Sequence, residues 1–438
     1  MKLITTPGKP LLGDIALPGD KSLSHRAVLF AALADGESVI ENFLMAGVTQ
    51  VMLEALTSLG VDWTMQGSQL VIHGRGLGGL RLPAAPINCG NSATTMRLLA
   101  GALAAAGIPA LLDGSPGLRR RPMGRIVAPL QAMGVPIQAS HGGTAPLRLE
   151  ARAESQLLHA INYPLPVSSA QVKTCLLLAA LAADGACILH EPQPSRDHTE
   201  RMLAIMGVDI QADGEQVRLA PSLPLRLRPL RLLLPGDISS AAFLIVATLI
   251  TSGSQITFRD VLLNPTRTGL LEALGAMGAE IRVENRTERG GEPVGDIIVA
   301  HSRLRGTVVD GPLVVRMIDE FPAFAIAAAY AKGHTVVRGA SELRRKESDR
   351  IAALCRGLGA LGVDVEEAPD GFSIQGVGAL RGGKVSPSGD HRLAMAFGVA
   401  GLAAGETVTV EAAEIIAESY PEFVSALRSL GAGVRLVA

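Results

Sequence analysis

Aromatic residues are scarce: one Trp, three Tyr and nine Phe make 3% of the 438 residues. That is too few to build the stacking platforms that hold single-stranded bases. An excess of charge of either sign is also missing. Lys and Arg total 40 against 41 Asp and Glu, a formal net charge of −1, so no global field draws the chain to nucleic acid or anionic lipid. The four cysteines (Cys89, Cys175, Cys187, Cys355) lie far apart and form no C-x-x-C pair. This excludes a disulfide scaffold and a cysteine-based zinc site, and points to a reducing compartment. The longest strongly apolar run, Ala241 to Ile250, is half of the ~20 residues that span a bilayer. Met1 to Pro7 carries neither the apolar stretch nor the cleavage site of a signal peptide. The expectation is a soluble, cytoplasmic protein with no nucleic-acid and no membrane partner. With 48% hydrophobic residues, the chain has ample material for the cores of two or more domains.

What the chain does have is a repeat. Leu17-Pro18-Gly19-Asp20-Lys21-Ser22 returns as Leu234-Pro235-Gly236-Asp237-Ile238-Ser239, each followed by a compact apolar run. Weaker copies begin near residues 87, 165, 317 and 388, so the six starts lie 69 to 83 residues apart. A second marker keeps step: a Leu or Met, then glycine, then a short strand, at Gly60, Gly134, Gly207, Gly278, Gly362 and Gly431. Glycine suits the left-handed residue that closes a helix. Each unit therefore reads as strand, buried apolar helix, strand, amphipathic helix and two strands. A plain doubly wound α/β sheet does not account for a six-fold period. The expected fold is α/β (α+β), with six βαβαββ repeats, three in each of two domains.

Several repeat starts carry charge where a helix offers unpaired N–H groups and the positive end of its dipole, a natural seat for anions. Asp237-Ile238-Ser239-Ser240 reads as no more than a helix cap. Gly19-Asp20-Lys21-Ser22-Leu23-Ser24-His25-Arg26 places two cations in the first turns, either as a solvated pair or facing an anion. It lacks the first glycine of a P-loop. Leu118-Arg119-Arg120-Arg121-Pro122-Met123-Gly124-Arg125 has four Arg and no acid, a pattern suited to forked binding of phosphate or carboxylate. In Leu343-Arg344-Arg345-Lys346-Glu347-Ser348-Asp349-Arg350, helical spacing puts Lys346, Glu347 and Arg350 on one face. That acid between two cations could move protons, or could be an ordinary surface salt bridge. Asp319-Glu320 and Asp390-His391-Arg392 add acids and a further Arg. His25, His198 and His391 lack metal-ligand spacing and read as hydrogen-bonding or packing residues. No metal site and no cofactor is expected. The cations Lys21, Arg26, Arg121, Arg350 and Arg392 come from both halves and are expected to meet around polyanionic small molecules, leaving Asp319 and Glu347 to move protons.

These motifs, in this order from about residue 10 to the C-terminus, closely resemble the EPSP synthase (3-phosphoshikimate 1-carboxyvinyltransferase) family. The resemblance implies a two-domain inside-out α/β barrel, the enolpyruvyl transferase fold. Its domains are residues 19–232 and residues 1–18 plus 233–438, joined by two crossovers, with the active site in the cleft between them. It implies transfer of the enolpyruvyl group of phosphoenolpyruvate to the 5-hydroxyl of shikimate 3-phosphate, with release of phosphate, on the route to chorismate and aromatic amino acids. By the same resemblance Lys21, Ser22, Arg26, Ser169, Ala170, Gln171, Asp319 and Lys346 would hold shikimate 3-phosphate, with Arg196 a further candidate. Asn91 and Ala93 in the turn to Thr94, together with Lys21, Arg121, Gln171, Arg350 and Arg392, would hold phosphoenolpyruvate. Glu347, Asp319 and Lys21 would carry the proton transfers. A monomer is expected.

Two positions depart from the family pattern. Ala93 stands where many members have glycine, which implies a glyphosate-tolerant, class II-like enzyme. Glu418 stands where some members have a substrate-contacting Lys. Two alternatives were weighed. UDP-N-acetylglucosamine enolpyruvyl transferase shares the fold, but typically has Lys-Asn where Lys21-Ser22 stands and a reactive Cys in a loop that here has none. The other is a non-catalytic anion-binding protein on the same fold, against which the presence of both Asp319 and Glu347 argues.

Overall fold

A computed structural model describes residues 1–153, 156–222 and 224–438. All six glycines that close the amphipathic helices have positive φ, between 81° and 99°, the conformation that lets a helix end and a strand begin at once. Six apolar helices alternate with them: Lys21–Leu33, Ala93–Ala106, Ala170–Ala180, Ile238–Ile250, Phe321–Tyr330 and His391–Ala400. Side-chain caps start four of these. Asp20, Ser92, Asp237 and Asp390 each accept a backbone N–H from the first turn of the helix they precede.

The described residues divide into two compact units. One comprises Met1–Pro18, Pro235–Glu288 and Pro293–Ala438; the other comprises Gly19–Leu234 with Arg289–Glu292. The hairpin turn Arg289–Glu292 thus groups with the Gly19–Leu234 unit, a detail that the reading of the repeats did not contain. Each unit has three four-stranded sheets.

In one respect the simple repeat is incorrect. The strand ahead of the first apolar helix, Leu12–Ala16, pairs parallel with Gln255–Leu262, next to the fourth apolar helix. The strand ahead of the fourth helix, Arg231–Leu233, pairs parallel with Asp35–Glu41, next to the first. The two leading strands are exchanged. The sixth sheet also borrows Lys2–Thr5, which lies antiparallel between Val408–Val410 and Val434–Val437. A strand of three to five residues encodes which face is apolar but not which partner it joins.

The apolar helices form the interior of each unit. Every residue of Ile238–Ile250 is buried, and this helix packs on Phe321–Tyr330 and His391–Ala400, which also pack on each other. In the Gly19–Leu234 unit, Ala93–Ala106 packs on both Lys21–Leu33 and Ala170–Ala180. The second of these contacts is very close. A methyl group added at Gly101 would lie 2.2 Å from the carbonyl oxygen of Cys175, so the two backbones touch and bring the N-terminal ends of both helices side by side. In the other unit Gly357, on the helix Arg350–Ala360, makes room for a side chain instead: an added methyl would meet the ring of Phe397 at 2.1 Å. Substituting Gly101→Ala should destabilise the protein by about 1–3 kcal/mol, the usual cost of overpacking. That outweighs the ~1 kcal/mol gained in helix propensity. Urea unfolding measures the balance, and a wild-type midpoint would contradict the close approach.

Candidate active site

In the Gly19–Leu234 unit, the close helix contact sets up a network at the helix starts. Gln171 donates from Nε2 to Thr94 Oγ1 at 2.8 Å and accepts from Arg97 Nη1 at 2.5 Å, while Arg97 Nη2 donates to the Pro122 carbonyl at 2.8 Å. Gln171 and Arg97 together thus join the start of the helix Ala93–Ala106, the start of the helix Ala170–Ala180 and the arginine-rich loop. Ala93 is buried as the first residue of its helix. Asn91 Oδ1 accepts from Ser115 Oγ at 2.8 Å, which ties the turn to the same loop. Arg121 follows the short helical turn Leu118–Arg120 and is half-buried. Arg119, two residues earlier in the loop, is paired with Asp113.

Lys21 opens its helix half-buried, and Ser22 Oγ accepts from Arg196 Nη1 at 3.2 Å. Arg26 lies deeper than its sequence position implied. It donates to Thr199 Oγ1 (2.8 Å), Thr174 Oγ1 (2.9 Å) and the Ser22 carbonyl (3.0 Å), binding the first, third and following helices together beneath Ser22. His25 is buried between the Lys21 carbonyl on Nδ1 (2.9 Å) and the Val48 carbonyl on Nε2 (3.1 Å). Burial, seconded by the charges of Lys21 and Arg26, pushes it down to about 4, so it is neutral at physiological pH and serves packing.

The other unit gathers its charges around Arg350, which is 2% exposed. Its Nε donates to Asp390 Oδ2 at 2.7 Å, Nη2 to Glu347 Oε2 at 2.6 Å, and Nη1 to Asp319 Oδ1 at 3.4 Å. Lys346 Nζ reaches the same Asp319 oxygen at 3.4 Å, and Arg392 Nη1 donates to the Asp319 carbonyl at 3.0 Å. Burial opposes the charge on Arg350, yet Asp390, Glu347 and Asp319 hold it above its ordinary range. Asp390 is the converse case: burial alone would raise it, but the Arg350 guanidinium keeps it below the usual carboxylate range.

The expected helical face through Lys346, Glu347 and Arg350 is corrected in its cause. Ser341–Arg345 forms a 3₁₀ turn, and the α-helix starts only at Arg350, where Asp349 accepts from the Ala352 N–H. Lys346 and Glu347 therefore lie on the turn before the helix, and Asp319 and Asp390 complete the cluster. Arg97 went unselected in the sequence, and Asp390 was named only as part of its motif. The signal for Arg97 was present, a lone cation within an otherwise apolar helix.

The EPSP synthase (3-phosphoshikimate 1-carboxyvinyltransferase) family model matches residues 5–427. The chain belongs to this family. It is 47% identical over 431 residues to the 3-phosphoshikimate 1-carboxyvinyltransferase of Syntrophomonas wolfei, covering 98% of this chain and all of that protein. It is 49% identical over 432 residues to the enzyme of that name from Xanthomonas campestris pv. campestris, covering 98% of this chain and 97% of the relative. A solved EPSP synthase from Acinetobacter baumannii superimposes with a TM-score of 0.88 at 40% identity, over the full length of both chains. The fold is thus the one the EPSP synthase resemblance implied, and the family match sets aside both alternatives. Among the described residues no helix is long and apolar enough to cross a membrane.

In this protein, Arg350→Met leaves Asp390, Glu347 and Asp319 without their shared cation. It should cost about 3–5 kcal/mol of stability, with partial recovery in Arg350→Met/Asp390→Asn. Because the folded protein depresses Asp390, its contribution is present above the unfolded value of ~3.9 and is lost as pH falls through the lower folded value. Urea midpoints across acidic pH should therefore show a loss below about pH 4 in wild type. Arg350→Met should lack this contribution at every pH.

Proposed function

We propose that Asp319, Glu347 and Lys21 perform in this chain the carboxyvinyl transfer for which the family is named. The enzyme transfers the enolpyruvyl group of phosphoenolpyruvate to the 5-hydroxyl of shikimate 3-phosphate and releases phosphate. The observation that carries the assignment of roles is the Arg350 fork, which holds Glu347 on one nitrogen and Asp319 on the other. One guanidinium thereby orients two carboxylates, the pair of groups that acid and base work requires.

Shikimate 3-phosphate is held by Lys21, Ser22, Ser169, Ala170, Gln171, Asp319 and Lys346, with Arg196 beside Ser22 and Arg26 supporting Ser22 from beneath. Phosphoenolpyruvate is held by Lys21, the turn Asn91–Ala93, Arg121, Gln171, Arg350 and Arg392. Forked guanidinium contacts suit both its phosphate and its carboxylate. The reading requires both charge clusters to act on one pair of substrates.

In the addition step Glu347 gives a proton to the methylene carbon of phosphoenolpyruvate, making C2 electrophilic. The 5-hydroxyl oxygen bonds to C2 while Asp319 takes the hydroxyl proton. In the elimination step the new methyl group returns a proton to Glu347, the C–O bond to phosphate breaks, and Asp319 gives the proton it took to the departing phosphate. Lys21 and the surrounding arginines stabilise charge on the departing group.

Phosphate release from the two substrates together, and from neither alone, tests the reading. Asp319→Asn and Glu347→Gln should each lower kcat by about 10²- to 10⁴-fold with smaller changes in KM. Retention of kcat in either would remove that residue from the proton path. The buried methyl group of Ala93 narrows the phosphoenolpyruvate end, so a longer anion such as glyphosate is disfavoured. Ala93→Gly should lower the glyphosate inhibition constant about 10-fold or more, the scale of one methylene in a tight pocket. An unchanged constant would refute the tolerance.

A further inference from the structure

Behind the start of the helix Ala170–Ala180 lies a buried group of charges that the transfer reaction does not use. Lys173 is 1% exposed. Its Nζ donates to Glu191 Oε2 at 2.7 Å, lies 2.6 Å from Glu200 Oε1, and reaches the Ser195 carbonyl at 3.4 Å. Glu191 and Glu200 are buried as well. Burial works against the ammonium, yet Glu200 and Glu191 hold Lys173 above its ordinary range. Burial holds Glu200 above the usual carboxylate range, with Lys173 pulling the other way.

The contacts of this group converge on one short loop. Glu191 Oε2 also accepts the Ser195 N–H at 3.3 Å, so Lys173 and Glu191 grip both backbone groups of Ser195, the residue before Arg196. The Gln193 N–H donates to Ser168 Oγ at 3.0 Å, tying the loop to the residue before Ser169. On the next residue of the helix, Thr174 Oγ1 meets Thr199 Oγ1 at 2.6 Å, and Glu200 is the residue after Thr199. Leaving three ionisable groups in the interior is costly where apolar packing would serve as well, and here they fix the loop that carries Arg196.

We propose that Lys173 and Glu191, with Glu200 as the second counter-ion of the ammonium, form a positioning group for shikimate 3-phosphate, holding Arg196 and Ser169 in register for the anion. This rests on the assignment of Arg196 and Ser169 to shikimate 3-phosphate. The group touches no substrate; it acts through the Ser195 backbone and through the Gln193–Ser168 hydrogen bond beside Ser169.

Steady-state phosphate-release kinetics on the full-length enzyme test the proposal. Lys173→Met alone would strand two buried carboxylates, so the informative variant is the neutral triple Lys173→Met/Glu191→Gln/Glu200→Gln. Its KM for shikimate 3-phosphate should rise about tenfold or more, while kcat and KM for phosphoenolpyruvate stay within about twofold of wild type. Glu200→Gln alone keeps the grip on Ser195 and should leave both KM values within about twofold. A folded triple variant with a wild-type KM for shikimate 3-phosphate would overturn the proposal, as would a parallel change in both KM values and kcat. If the triple variant does not fold, Glu191→Gln, which keeps the Lys173–Glu200 pair, carries the same expectation and the same refutation. Arg196→Ala separates the two ideas. If it leaves the KM for shikimate 3-phosphate unchanged, the subsite assignment fails together with what rests on it. If it raises that KM and the triple variant does not, only the positioning role fails.

Discussion

A guanidinium buried among carboxylates organises the charge cluster on which the proposed function depends. Arg350 sits at the start of its helix, where the positive end of the dipole disfavours a cation, and is almost wholly removed from water. Such a charge persists only when matched, and Asp390, Glu347 and Asp319 match it from three directions. Asp390 does this while capping the helix His391–Ala400, so the counter-ion is fixed by backbone hydrogen bonding as well as by charge. The geometry of the two proposed proton-transfer groups follows from the arginine that both of them face.

The Gly19–Leu234 unit solves the same problem with different partners. Arg26 and Arg97 are also buried, but the acceptors described above are threonine hydroxyls, a glutamine amide oxygen and backbone carbonyls. Such acceptors orient a guanidinium without cancelling its charge. The backbone contact at Gly101 makes the arrangement possible, because Gln171 can reach Thr94 and Arg97 only if the two helices touch. A packing constraint in the interior thereby becomes a statement about the anion-binding surface.

Much of this was legible in the sequence for identifiable reasons. The six closing glycines and the apolar helices mark the repeat because each reflects a local requirement, a left-handed backbone in one case and burial on all sides in the other. The exchange of Leu12–Ala16 with Arg231–Leu233 was legible only through the two crossovers that the family resemblance implied, since a short strand does not itself name its partner. Lys21, Asp319 and Arg392 stood out as charge at repeat starts, and Arg121, Glu347 and Arg350 as dense charge runs between them. Lys173 and Arg97 did not, because a single cation in an apolar helix gains meaning only from the carboxylate or amide that the fold brings to it. The reading of Lys346 and Glu347 as helical reached the right cluster by the wrong route. The cap at Asp349 delays the helix, and a turn supplies the proximity.

The internal pairing of the Arg350 cluster also bears on how an acid can work there. Its three carboxylates already occupy the donors of the guanidinium: Asp390 takes Nε, Glu347 takes Nη2 and Asp319 takes Nη1. A guanidinium offers a fixed fork of N–H donors and accepts nothing, so under the proposed function an anionic substrate that engages Arg350 must share those N–H groups with Glu347 and Asp319. Asp390 is the carboxylate least able to yield, because it also accepts the Arg392 N–H at the cap of its helix. Binding and proton transfer would then be coupled through the donors of one side chain, and the long Asp319 contact at 3.4 Å is the one that costs least to exchange.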